Sequence, residues 1–123
     1  MLLIKAKVGI SKVHGLGLFA QEFIPKGKVT WKFQEGFDVV IEHEMLHQLS
    51  EPARLQVIHY AEYFPDKNVF VLSSDDDRFA NHSDNPNVGP DNDGGGVIAL
   101  ADIKEGEEIT CDYRQVIMLG FTP

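Results

Sequence analysis

The sequence predicts a mainly β fold interrupted by a short helical insert, and three observations carry that reading. Short runs rich in Val, Ile, Leu, Phe and Thr recur along the chain, each bounded by Gly, Pro, Asn or Asp turn signals. Helical spacing is confined to the middle, over residues 41–64. One stretch, Arg78-Phe79-Ala80-Asn81-His82-Ser83-Asp84-Asn85-Pro86-Asn87, is too polar for an apolar strand and too irregular for an amphipathic helix. It reads as a working loop, because Asn, Asp, Ser and Pro fix turns through local hydrogen bonds and a preset φ.

Residues 2–10 alternate Leu and Ile with Lys5 and Lys7 and are expected to form a half-buried strand. Residues 11–17 break the pattern, and Gly15 and Gly17 flank Leu16 in a loop that allows unusual φ values or close approach of a ligand to the backbone. Read structurally, the same loop is a hairpin. Ile24-Pro25-Lys26-Gly27 is a turn before a strand over residues 29–33, and a second short strand is expected over residues 37–41. Residues 41–49 carry Ile41, Met45 and Leu49 at four-residue steps, a short helix. Ser50 is the expected N-cap of a second helix, with Pro52 in its first turn and Val57, Ile58, Ala61 and Phe64 on its apolar stripe. Strands are then expected over residues 69–72, 97–103 and 109–113, followed by a short tail.

A chain of 123 residues, 43% of them hydrophobic, fits one domain with one modest core. The expected division is N-terminal strands over 1–37, the helical insert over 38–64, a polar half over 65–113 and a tail over 114–123. The opening apolar run is too short for a signal peptide, and no run of about eighteen apolar residues occurs. The expectation is a soluble, intracellular protein with no membrane partner. A single cysteine, Cys111, rules out an internal disulfide.

The net charge of −8 is unevenly placed: residues 1–65 hold seven acids and seven bases, and residues 66–123 hold twelve acids and four bases. Nucleic acid is therefore not an expected partner, since binding phosphates requires a basic stripe. An acidic half suits a lysine-rich protein segment, although Asp75-Asp76-Asp77 and Glu107-Glu108 also read as a solvated face.

Several motifs are set aside. The Gly15/Gly17 pair lacks the third glycine and the βαβ context of a dinucleotide site. His43-Glu44-Met45-Leu46-His47 matches the zinc-binding H-E-x-x-H pattern, but on a helical wheel both histidines oppose the Ile41/Met45/Leu49 stripe and point to solvent. No metal site is expected there. The aspartate clusters at residues 75–77 and 91–93 lack the alternating ligands and closing glutamate of an EF-hand.

Three segments together carry a resemblance: Gly15-Leu16-Gly17-Leu18-Phe19-Ala20, then Asn81-His82-Ser83-x-x-Pro86-Asn87, then Gly106-Glu107-Glu108-Ile109-Thr110-x-Asp112-Tyr113. In that order they resemble the SET-domain protein-lysine methyltransferases, over about nine-tenths of the chain. The resemblance implies a SET, or β-clip, fold of several small sheets in which the last strand tucks beneath the 78–87 loop in a knot-like crossing. It implies transfer of methyl groups from S-adenosylmethionine to the ε-amine of a lysine in a protein, a histone or another basic segment. Tyr113 matches the family's catalytic tyrosine, and Gly15, Leu16, Gly17, Arg78, Asn81 and His82 match its cofactor-binding positions.

The sequence departs from the family in places. Cys111 stands where many relatives place Phe or Tyr beside the target amine, which leaves the number of methyl groups open. Many relatives carry a larger side chain at Leu16. The cysteine-rich region that often follows the domain is absent, so the substrate channel, lined by Cys111 and Tyr63, is expected to be closed by residues 114–123, with Phe121 the candidate, or by a second copy in a homodimer. The alternative function is a SET-like module that binds cofactor or a lysine-containing peptide without turnover.

Overall fold

The structure, a computed structural model, describes residues 1–119. Ten short strands form three small sheets: β1 (Ala6–Ile10), β2 (Leu16–Ala20), β3 (Val29–Trp31), β4 (Val39–Glu42), β5 (Glu62–Phe64), β6 (Val69–Leu72), β7 (Asn81–His82), β8 (Val88–Pro90), β9 (Val97–Ala99) and β10 (Glu108–Cys111). One α-helix, α1 (Glu51–Tyr60), and two 3-10 segments, His43–Gln48 and Asp76–Phe79, complete them. None of these helices is long and apolar enough to cross a membrane. The class is the expected one, mainly β with a short helical insert.

The sheet that positions the site has the order β1-β2-β10-β7. Its first pair is the expected hairpin, with Ile10 opposite Leu16 and Ala6 opposite Ala20. β10 lies antiparallel to β2 on one side and parallel to β7 on the other, with Thr110 opposite Asn81 and Cys111 opposite His82. A two-residue strand inside the polar loop thus joins the last strand to the 78–87 segment. Asn87 extends the join, because its side chain donates to the Glu108 carbonyl at 2.8 Å and accepts from the Thr110 N–H at 2.9 Å. The other two sheets run β3-β9-β8 and β4-β6-β5.

The strands turn their apolar residues into two cores. Leu18, Ala20, Ile24, Val88, Ala99, Ile103, Ile109 and Cys111 form the main core, and Leu46, Val57, Ala61 and Phe70 form a second under the insert. Fully burying residues such as Leu18 or Phe70 stabilises the fold by roughly 1.5–3 kcal/mol each.

The insert departs from its expected form. The expected helix over residues 41–49 is a strand through Glu42 followed by a 3-10 segment, since Val39–Glu42 pairs in register with Val69–Leu72. His43 does not point into solvent: its ring stacks on Phe70 with centroids 6.0 Å apart. At about three residues per 3-10 turn, His43 and His47 are rotated apart instead of lying on one face. The second helix starts as expected, with the Ser50 hydroxyl accepting from the Ala53 N–H at 3.3 Å. It ends at Tyr60, earlier than its apolar stripe implied, and Glu62–Phe64 joins β6 as an edge strand.

Candidate cofactor and substrate site

The glycine loop between β1 and β2 is shaped by close contacts. Gly15 has a φ of +47°, in the left-handed region that favours glycine. Gly17 is buried, and a Cβ placed on it would stand 2.5 Å from the Glu108 carboxylate. That carboxylate accepts from the Ser11 hydroxyl at 2.8 Å and from the Asn81 side-chain amide at 3.0 Å. The same amide donates to the carbonyls of His14 at 3.1 Å and Leu16 at 3.0 Å. Asn81 therefore pins the loop to the last strand.

Hydrogen bonds at both ring nitrogens set the His82 tautomer. Nδ1 accepts from the Tyr113 N–H at 3.1 Å, so in the neutral ring Nε2 bears the hydrogen and donates to Asp84 at 2.9 Å. Its ring tilts against that of Tyr113, 5.6 Å between centroids. The Tyr113 hydroxyl donates to the Ala80 carbonyl at 2.5 Å. Burial first, then the neighbouring Cys111, Asp77 and Glu108 groups, push the phenol well above its ordinary pKa, so it stays neutral. Beside it, Arg114 grips Asp112 through two hydrogen bonds of 2.8 and 2.9 Å and holds that carboxyl down at about 2.

These residues surround a cleft of about 530 Å³, within the usual range for a small-molecule site. Gly15, Leu16, Arg78, Asn81, His82 and Tyr113 line it, six of the expected residues drawn from three separate segments. Gly17 lies behind the wall, against Glu108. A second, narrower cavity of about 60 Å³ is lined by Cys111, Tyr113, Val116 and Met118 together with Glu62, Ser73, Asp77 and Trp31. Tyr60, Arg78, Tyr113 and Met118 line both, so the two spaces meet there.

Two expected channel residues fall elsewhere. Tyr63 lines neither cavity; its ring packs on Phe70 at 5.1 Å and its hydroxyl bonds Asn68, because β5 pairs with β6 and turns that face to the second core. Phe121 lies outside the described residues. The sequence reading passed over others. Phe79 and His59 line the cleft, and Tyr60 stands where the cavities meet, its ring edge-on to Phe79 at 5.6 Å. Glu108, read as part of a solvated face, is the carboxylate that organises the glycine loop.

S-adenosylmethionine would need a polar loop for its amino-acid end, flat surfaces for its purine and a neutral wall near its methyl. The cleft offers the Gly15 backbone and the Arg78 guanidinium, the rings of Phe79, Tyr60 and His82, and the un-ionised Tyr113. The donor set fits the group.

No curated protein matches the sequence. Among solved structures, a candidate histone methyltransferase of Plasmodium falciparum is similar at 24% identity and a TM-score of 0.61, with 91% of this chain covering 95% of that one. Chaetomium thermophilum Polycomb Repressive Complex 2 is similar in an autoinhibited conformation bound to S-adenosylmethionine, at 22% identity and a TM-score of 0.67, and bound to GSK126, at 22% and 0.68. In both, 95% of this chain is covered but only 16% and 17% of the Polycomb chain, so it spans about a sixth of that chain's length. These likenesses establish the fold. The model of the SET domain matches residues 15–114, most of the sequence, and with the site geometry above it shows that this chain belongs to the SET-domain family.

Proposed function

We propose that the chain transfers methyl groups from S-adenosylmethionine to the ε-amine of a lysine in a protein, a histone or another basic segment. The observation that carries the reading is the convergence of Gly15, Leu16, Arg78, Asn81, His82 and Tyr113 on one cleft, with Tyr113 also lining the cavity behind it. When bound, the cofactor supplies a methyl group on a sulfonium, an electrophile that needs no metal or oxyanion hole. The protein's part is position and dryness, worth many powers of ten when a nucleophile is held in line.

The glycine loop, held by Asn81 and Glu108, binds the cofactor through its backbone, and Arg78 meets the carboxylate of its amino-acid end. Tyr113 orients the amine. Its hydroxyl proton is committed to the Ala80 carbonyl, so its oxygen is turned to accept from an incoming N–H without acquiring charge. His82 fixes the Tyr113 backbone from below. Cys111 and Met118 give the lysine cavity an apolar wall beside the ring, and an apolar wall weakens an ammonium whose free pKa of about 10.4 leaves only about one in two thousand neutral at pH 7. The acidic second half favours a basic target segment.

The test is transfer of labelled methyl groups to mixed core histones and to a whole-cell protein extract, with Tyr113→Phe beside the unsubstituted chain. Lysine labelling that falls at least about a hundredfold in the variant supports the reading. Cofactor binding by calorimetry without any labelling would turn it toward a silent binding module.

A further inference from the structure

The narrow cavity is lined by two acids: Glu62 from β5 and Asp77 from the 3-10 segment Asp76–Phe79 both line it, together with Cys111 and Tyr113. Among the described residues neither carboxyl has a cationic partner within ion-pair distance, although Arg78 lines the same cavity. The hydrogen bond recorded for the Asp77 carboxylate is a long one, 3.5 Å from the Ser73 hydroxyl. A second observation points the same way. Trp31, 7% exposed, lines this cavity too, and its indole Nε1 is shut off from solvent with no acceptor among the described residues. A buried donor left this way asks for a water or a ligand to complete it. About 60 Å³ is room for one or two waters, or for one water and the head of an amine.

Resting on the function proposed above, we infer that Glu62 and Asp77 are the proton-accepting end of the lysine site, reached from Tyr113 through a water seated on the Trp31 indole. The balance is simple. The lysine enters as an ammonium; one of its N–H bonds breaks and an O–H bond forms on the ionised member of the pair. The positive charge on nitrogen and the negative charge on oxygen vanish together, which a dry cavity favours over keeping both. The neutral amine is then free to take the methyl group, and the carboxyl returns its proton to solvent when the product leaves.

The electrostatics suit the task. Burial, with the neighbouring acids, raises Glu62 to about 7 and Asp77 to about 7, close to the working pH at which an acceptor is most effective. Two such groups in one cavity titrate as a pair and hold about one proton between them near neutrality. The other groups facing the pair are Asp75 and Asp38, the chain's amino group, the Cys111 thiol, the Tyr113 phenol and Arg78. Burial keeps the thiol and phenol protonated over this range, so neither competes for the proton.

The experiment is a single-turnover methyl-transfer profile from pH 6 to 10 on mixed core histones, for the unsubstituted chain, Glu62→Gln, Asp77→Asn and Trp31→Phe. The expected result is a rate that rises through about pH 7 and levels in the unsubstituted chain. Glu62→Gln should lose at least about tenfold at pH 7 and recover near pH 10, where lysine ionises unaided. Cofactor affinity by calorimetry should not change. Profiles that keep their shape, or that fall equally at every pH, overturn the inference and leave the pair a structural role. Carboxyl carbon NMR of the unsubstituted protein needs no variant, and titration of both groups at their ordinary values near 4 also overturns it. Absence of methyl transfer by the unsubstituted chain at every pH is a different failure: it sinks the proposed function, and the acceptor role with it.

Discussion

Asn81 and Glu108 meet side chain to side chain at 3.0 Å, across the junction of the polar loop and the last strand. Their contact turns three sequence segments into one object, because the Asn81 amide also holds the carbonyls of His14 and Leu16, and Glu108 also holds the Ser11 hydroxyl. Removing the carboxylate by Glu108→Ala leaves part-buried donors on Ser11 and Asn81 without it, a cost of about 1–3 kcal/mol. The loop should loosen, and calorimetry should show S-adenosylmethionine bound at least about tenfold more weakly. Unchanged affinity would separate this contact from the cofactor.

Gly17 tests the same joint from the other side. A methyl group there would meet Glu108 Oε2 at 2.5 Å and Ser11 Cβ at 3.0 Å, so the carboxylate must move and give up its donors. Gly17→Ala should lower stability by about 1–3 kcal/mol, as overpacking does, and weaken cofactor binding in parallel. The paired variant Gly17→Ala/Glu108→Ala should lose less than the two single losses summed, because both act on one contact.

Asn87 is a structural counterpart. It supplies both a donor and an acceptor to the backbone of β10, and no other residue type can do that with the same reach. Asn87→Ala should destabilise by about 2–4 kcal/mol, two backbone groups being left unpaired, and chemical denaturation should show it as a lower midpoint. Asn87→Asp keeps only the acceptor and should fall between.

The parts of the molecule legible in the sequence were those with unusual residue chemistry. The 78–87 loop could be recognised because an arginine, asparagines and a histidine around one phenylalanine have no use in a plain core, and its Arg78, Asn81 and His82 line the cleft beside Gly15, Leu16 and Tyr113. What could not be read was set by long-range pairing. Strands of two to four residues such as Asn81–His82 or Glu62–Phe64 are too short for alternation to distinguish from loop or helix. Tyr63 was misplaced for this reason, since only pairing with β6 decides which way its ring turns. Glu62 and Asp77 each look like surface acids locally, and only the fold brings them to one cavity.

Cys111 should be inert in the folded protein. Burial, with Asp77, Glu62 and Asp112 nearby, pushes its thiol up to about 12, so thiolate is scarce at any working pH. Iodoacetamide at pH 8 should alkylate it only at the rate of unfolding, and denaturant should speed labelling at least about a hundredfold. Rapid labelling of the native chain would show an open route to the narrow cavity.

The acid pair also predicts a direction for stability against pH. Glu62 and Asp77 bind protons more tightly in the folded chain, near 7, than unfolded, where their ordinary values are 4.5 and 3.8. Between about pH 4 and 7 the folded state therefore holds more protons, and stability contributed by the protonated pair is lost as pH rises through 7. Asp112 acts oppositely, but its window lies lower: held at about 2 by Arg114, it contributes above its ordinary 3.8 and is lost only on further acidification. The melting temperature should accordingly fall by several degrees from pH 5 to pH 8. Glu62→Gln, which stays neutral throughout, should flatten that fall, while Asp112→Asn should leave it in place and alter only the acid side. A melting temperature that rises from pH 5 to 8 would mean that the pair is solvated and ionised throughout.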